Sequence, residues 1–293
     1  MRAASAMPKP ARVPVAAQTV VEIVALAAAW QLYRWGRFLV RDQQATAFDN
    51  ADRIIDLESA LPLDVVGWSQ QLIIGSEAAT KVVNNYYVYS HITFTVACLA
   101  WLFFRHRSSY ERFRTCLVGA TAAGLVVHAA FPLAPPRLVP ELGLVDTLMI
   151  YGPSVYSSDE LASITNQFAA MPSFHVGWAL LVAIAVVTTL ESPWRWMAAV
   201  HPAAMTFAVM ATANHYFLDA VVGGALVLGA VQAHRAWQAA RSRDSRSALG
   251  PGLAAAMARV EARGPMSSGR APSPLLSERP ADEPVTPSIP HRH

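Results

Sequence analysis

The stretch "MPSFHVGWALLVAIAVVTTL", residues 171–190, carries no charged side chain from end to end. Beyond His175, a helix through it would be apolar on every face, which suits the centre of a bundle or a crossing of the bilayer. Composition favours the bilayer. Of 293 residues, 54% are hydrophobic and 15% charged, with a mean hydropathy of +0.30, whereas soluble domains carry roughly 25% charged residues.

Outward from this stretch the pattern repeats. Segments 82–104, 115–136 and 196–218 are likewise free of Asp, Glu, Lys and Arg. A hydrocarbon core takes about 20 predominantly apolar residues per helix. The chain is therefore predicted to be all-α, a polytopic integral membrane protein with a six-transmembrane-helix bundle and spans near 17–39, 84–104, 115–133, 174–190, 196–214 and 216–235. The stretch 61–75 has the length and mixed polarity of an interfacial segment. In the first span "ALAAAW" offers small residues for signal cleavage, but Glu22 interrupts the apolar run and "QLYRWGRFLV" prolongs it, which favours an uncleaved anchor. The membrane domain then covers 17–240, between a cytoplasmic N-terminus (1–16) and a disordered cytoplasmic tail (241–293) rich in Pro, Ser, Ala and charge.

Arginine sets the orientation. Only two lysines occur, Lys9 and Lys81, so nearly all basic charge is arginine, and it concentrates in "RHRSSYERFR" (105–114), "RAWQAARSRDSR" (235–246) and Arg195. All three are cytoplasmic at once if both termini are inside; Arg34, Arg37 and Arg41 dissent. Segment 134–173 and the junction at Asn214 then share the outer face. The arginines form no basic stripe with interleaved aromatics, which argues against nucleic acid. Cys98 and Cys116 fall in apolar spans and make neither a disulfide framework nor a zinc site. No internal repeat occurs, and no GxxxxGK[ST], HExxH or GxSxG pattern.

Three short motifs carry chemistry. In "NHYFLD" (214–219), His215 and Asp219 are four apart and share a helix face, so the carboxylate can fix the imidazole tautomer. A carboxylate entering an apolar span is costly and marks function by default, although a structural His–Asp lock between helices gives the same spacing. In "PSFH" (172–175), Pro172 and the N-cap residue Ser173 start a helix whose free N–H groups attract anions, with His175 beside them. A capped helix with an interfacial histidine is the plainer reading. In "FPLAPPRLVP" (131–140), Pro135 and Pro136 stiffen a turn that presents Arg137, whose guanidinium suits phosphate; an arginine snorkelling to headgroups would look similar.

Together, "APPR", "PSFH" and "HYFLD", with "NNYYVYSH" (84–91) as a weaker sign, resemble the type 2 phosphatidic acid phosphatase superfamily, over roughly residues 55–235. Within it the similarity is to the inositol phosphorylceramide synthase-like branch and its bacterial members. The resemblance implies that His215 attacks phosphorus to form a phosphohistidine, that Asp219 orients it, and that His175 protonates the leaving oxygen. It also implies that Arg137, with Ser173 and Phe174 at the helix start, holds the phosphoryl group. No metal or other cofactor is expected, since His175, Arg137 and helix N-terminal amides supply charge stabilisation. His91, His128, Asn214 and Tyr87 are further candidates to line the site, with Asn214 also expected to cap the last helix.

The sequence departs from the superfamily pattern at Ala130 and Val209, where a lysine and an arginine are usual, and at Phe174, where PSGH has glycine. Fewer cations suit a phosphodiester better than a phosphomonoester dianion. The expected partners are thus a lipid-linked phosphate substrate, a lipid or water acceptor, and the bilayer. Headgroup transfer between lipids is the first reading and a lipid phosphate phosphatase the second. A third class, a proton-relaying channel, conflicts with spans that are dry midway.

Overall fold

A computed structural model describes residues 43–60, 64–152 and 167–248, together with positions 19–22, 24, 27 and 31. The chain divides into two compact units, Met1–Ala239 and Ala240–His293. The described regular structure of the first is helical, apart from a single β-bridge between Leu133 and Ala169. Of the second, residues 240–248 are described, and they are helical. Most of the first expected span, 17–39, lies outside the described residues, as do the N-terminus 1–16 and the tail beyond residue 248.

Eight α-helices are described: α1 (Gln44–Ser59), α2 (Val65–Ile74), α3 (Glu77–Arg105), α4 (Arg107–Ala130), α5 (Thr147–Tyr151), α6 (Phe174–Thr189), α7 (Val200–Ala211) and α8 (Phe217–Ala248). Three of them are long and apolar enough to cross a membrane, Glu77–Arg105, Arg107–Ala130 and the Phe217–Asp244 part of α8. Only 33–39% of the residues in their apolar windows are buried. Most of their surface therefore points outward, where lipid removes the cost of exposed apolar side chains. The fourth and fifth expected spans are shorter helices. The segment expected as one span at 196–214 is a 3₁₀ stretch, Pro193–Ala199, followed by the 12-residue α7.

α6 is the hub. It packs against α3, α4 and α7, and its buried residues, including Val176, Ala179, Val182 and Ala183, lie around most of its circumference, as the uniformly apolar sequence requires. Against α8 it packs through glycines. A Cβ on Gly177 would stand 3.0 Å from the carbonyl oxygen of Gly223, and one on Gly223 would stand 2.2 Å from that of Ser173. Backbone meets backbone there, and no larger residue fits.

α1 was not anticipated from sequence. Its charges hide a buried stripe, Ala47, Asn50, Ala51 and Ile54, apolar except for Asn50, at the spacing of one helix face. α1 buttresses the turn after α4: Asn50 Nδ2 donates to the Pro132 carbonyl at 2.8 Å, and Ala134 N donates to the Ala47 carbonyl at 3.0 Å. α2, from the segment expected to be interfacial, starts at the N-cap Asp64. It buries Val66 and Ile73 and exposes Trp68 and Leu72. Glu22, the acid that interrupts the first span, accepts from Tyr110 Oη at 2.9 Å and pairs with Arg114 of α4. The charge of Glu22 is thereby balanced by Arg114.

Candidate active site

Ser173 starts α6 by accepting from Val176 N through its Oγ at 3.4 Å, while its own N–H donates to the Asp219 carbonyl at 3.0 Å. Two helix mouths are thus tied together by backbone. The next residue, Phe174, turns its ring toward α4. There Gly124 leaves the space, since a Cβ on it would stand 2.3 Å from Phe174 Cε1. His128 meets the same ring edge to face at 4.9 Å between centroids. Phe174 and His128 are therefore paired with each other on the α4 side of the helix start.

His175 turns the other way. Its ring centroid lies 5.7 Å from that of His215, 4.3 Å from Tyr87 in a stacked contact, and 4.0 Å from His91. Tyr87 and His91 sit one turn apart on α3, linked by His91 Nδ1 and the Tyr87 carbonyl at 3.3 Å. Three imidazoles from three separate parts of the chain thus form one cluster.

His215 lies in the short link between α7 and α8. Its Nδ1 faces Asp219 Oδ2 at 3.3 Å, and the same oxygen accepts from Tyr216 N at 2.9 Å. Both side chains are buried, Asp219 completely. With a carboxylate as acceptor, Nδ1 carries the proton and Nε2 keeps the lone pair. The link is bent by Ala213, a non-glycine residue at φ 52, a left-handed conformation that costs about 1–2 kcal/mol. It is held by hydrogen bonds from Ala213 N to the Met210 carbonyl at 2.8 Å and from Arg137 N to the Ala213 carbonyl at 2.9 Å.

The side chain of Arg137 is anchored at the same place. Its Nε donates to Asn214 Oδ1 at 3.0 Å and one terminal nitrogen donates to Asp146 Oδ2 at 3.0 Å. Asn214 spends its amide on the Thr212 carbonyl at 3.1 Å. It therefore fixes the arginine rather than capping α8, contrary to the expected cap.

Several contributors were not read from sequence. Asp146 caps α5 through Met149 N at 3.1 Å while it holds Arg137; an Asp before an apolar run is a cap signal, but nothing local names its second partner. Asn84, the first residue of "NNYYVYSH", is fully buried and exchanges two hydrogen bonds with Thr147, at 2.7 and 2.9 Å, pinning α5 to α3. Gln70 of α2 bridges Val145 N and O, at 2.8 and 2.9 Å. Glu58 of α1 accepts from Leu218 N at 2.7 Å and so occupies the N-terminus of α8 one residue from Asp219. Its burial pushes the Glu58 carboxyl above the usual range, with the Asp219 charge adding to the shift and the Leu218 N–H opposing it.

These features define a helical membrane protein with a buried histidine–carboxylate pair opposed by a second histidine. The chain belongs to the PAP2 superfamily, whose family model matches residues 52–233, more than half its length. No curated protein and no solved structure matches it. The matched segment runs from α1 into α8 and contains every candidate site residue named above. Membership brings lipid phosphate chemistry at a membrane as the class of activity.

Proposed function

We propose that this protein is a phosphotransferase that moves a phosphoryl polar headgroup, phosphoinositol among the candidates, from one lipid to the hydroxyl of another through a phosphohistidine on His215. The observation that carries the reading is the 5.7 Å between the ring centroids of His175 and His215, close enough for one phosphoryl group beside them to touch both rings. In the first step His215 Nε2 attacks phosphorus, the P–O bond to the leaving group breaks, and His175 gives its proton to the departing oxygen. In the second, an acceptor hydroxyl attacks phosphorus, His175 takes the hydroxyl proton, and the P–N bond breaks. Asp219 holds the tautomer of His215 and stabilises the cation it becomes. Arg137 and the first N–H groups of α6, beginning at Phe174, take the developing charge on the phosphoryl oxygens, while Ser173, whose own N–H is given to the Asp219 carbonyl, caps the helix that presents them. Tyr87 and His91 line the site beside His175, Asn214 holds Arg137, and His128 backs Phe174.

Charge balance favours transfer over hydrolysis. Arg137 is already opposed by Asp146 at 3.0 Å, and the positions where the superfamily usually adds cations are Ala130 and Val209. A singly charged phosphodiester suits such a site better than a dianion. The second reading, a lipid phosphate phosphatase of the phosphatidate or polyprenyl phosphate type, is favoured by superfamily membership itself and differs only in using water as acceptor. The same proposal places six helices across the plasma membrane, both termini in the cytoplasm and the histidines on the extracytoplasmic face.

The test is brief exposure of the protein in vesicles to lipid labelled at phosphorus, followed by denaturation and assay for acid-labile protein-bound phosphate. His215→Ala is expected to abolish the label, and Asp219→Asn to slow its formation by about 10²–10⁴-fold. Label surviving in His215→Ala overturns the nucleophile. Offering a phosphodiester lipid and a phosphomonoester lipid side by side separates the two readings, a new lipid indicating transfer and free phosphate indicating hydrolysis.

A further inference from the structure

A second cluster of chemistry lies at the opposite end of the helices. α4 runs toward the histidine cluster while α6 and α8 run away from it, so Arg112, Thr188 and Arg235 come together at the far end. At 1.5 Å per residue, the 16 residues from Asp219 to Arg235 place this end about 24 Å from the nucleophile pair, most of the roughly 30 Å thickness of a bilayer core. A shallow cleft, open to the surface, lies there between α4, α6 and α8. Its rim carries Arg112, Arg235, Ser109 and Thr188, and its walls are apolar, with Leu181 and Val231 among them. Arg112 donates to Thr188 Oγ1 at 3.1 Å, which aims the guanidinium along the rim. No acidic residue is among the described residues lining the cleft. The nearby acid Glu22 is already taken by Arg114 and Tyr110.

Interfacial arginines alone would only report orientation. Here two of them, from different helices, converge with two hydroxyls on one cleft whose other lining residues are mostly apolar. From this convergence we propose that the α4–α6–α8 cleft binds the phosphate of an anionic phospholipid in the leaflet opposite the catalytic histidines. The guanidiniums and hydroxyls hold the phosphate, and the walls take the first segment of an acyl chain. The site is separate from the catalytic one and does not rest on the phosphohistidine reading.

Native mass spectrometry of the full chain in detergent, titrated with phosphatidylglycerol, phosphatidylcholine or inorganic phosphate, tests this. Wild-type protein is expected to retain one phosphatidylglycerol at a concentration at least tenfold below that needed for phosphatidylcholine, and to retain no inorganic phosphate. The double variant Arg112→Gln/Arg235→Gln is expected to lose this preference. The charge-matched control Arg105→Gln/Arg243→Gln, and His215→Ala, are expected to keep it. Retention by the double variant within twofold of wild type, or an equal loss in the control, overturns the site. Inorganic phosphate binding as tightly as the lipid overturns the lipid assignment. Should the double variant fail to fold, Ser109→Glu, which sets a negative charge on the rim, is read by the same criteria.

Discussion

Asp219 Oδ2 serves two donors, the imidazole of His215 and the backbone of Tyr216, and so fixes ring and loop with one atom. A second carboxylate, Glu58, stands over the start of the same helix through Leu218 N. Its folded carboxyl lies above the usual range because burial and the Asp219 charge disfavour ionisation. A raised folded value means that the stabilisation from Glu58 is complete below the ordinary carboxylate range and is lost as pH rises through the folded value. Glu58→Gln keeps an oxygen to accept from Leu218 and removes the charge. It is therefore expected to narrow the difference between the thermal unfolding midpoints at pH 5 and pH 8, with the variant gaining on wild type at the higher pH. An unchanged difference would show that Glu58 does not titrate over that range. Neither partnership of Glu58 was visible in sequence, because a helix-capping acid 160 residues away leaves no local signature. The His215–Asp219 pair was visible from its i, i+4 spacing, but the expected shared helix face is not formed: His215 lies in the link, two residues before α8 begins at Phe217, and Asp219 reaches back to it from the first turn.

At the scale of elements, the decisive contacts are helix crossings at glycine. Gly124 makes room for Phe174, the residue that departs from the superfamily's PSGH. Gly124→Ala would press a methyl group against a ring already flanked by His128 and Trp178. Overpacking of this kind costs about 1–3 kcal/mol. The loss should be smaller when Phe174→Gly is also present, since the clash is then gone. A double-mutant cycle on unfolding midpoints in detergent is expected to show a coupling of about 0.5–3 kcal/mol, and strict additivity would refute the notch. The existence of α3, α4 and α8 was legible from their apolar runs, expected at 84–104, 115–133 and 216–235, but their lengths were not, because polar and charged turns extend them to Glu77–Arg105, Arg107–Ala130 and Phe217–Ala248. α1 was not, because Asp49, Asp52, Arg53 and Asp56 on its exposed side interrupt the run, and its buried stripe is short.

At the largest scale, the arginines of segment 105–114 and Arg235 lie at the end of the long helices opposite the histidine cluster. In a protein with Cys98 and Cys116 replaced, Glu141→Cys is expected to react with a membrane-impermeant maleimide in intact cells, and Ser108→Cys only after permeabilisation. Both positions are exposed, and labelling of both from one side would overturn the proposed topology. The sequence by itself determined that the chain is helical and membrane-bound, and which residue types could do phosphorus chemistry. Hydrophobic length and i, i+4 spacing are properties of a single segment and survive without a fold. Only the tertiary structure decided that His175 lies against Tyr87 and His91 as well as His215, that Asp146 and Asn214 hold Arg137, and that two arginines meet at the far cleft. Apart from Asp146, nine positions from Arg137, those pairings join residues tens of positions apart, and α6 and α8 bring their mouths together because Gly177 and Gly223 let backbone approach backbone.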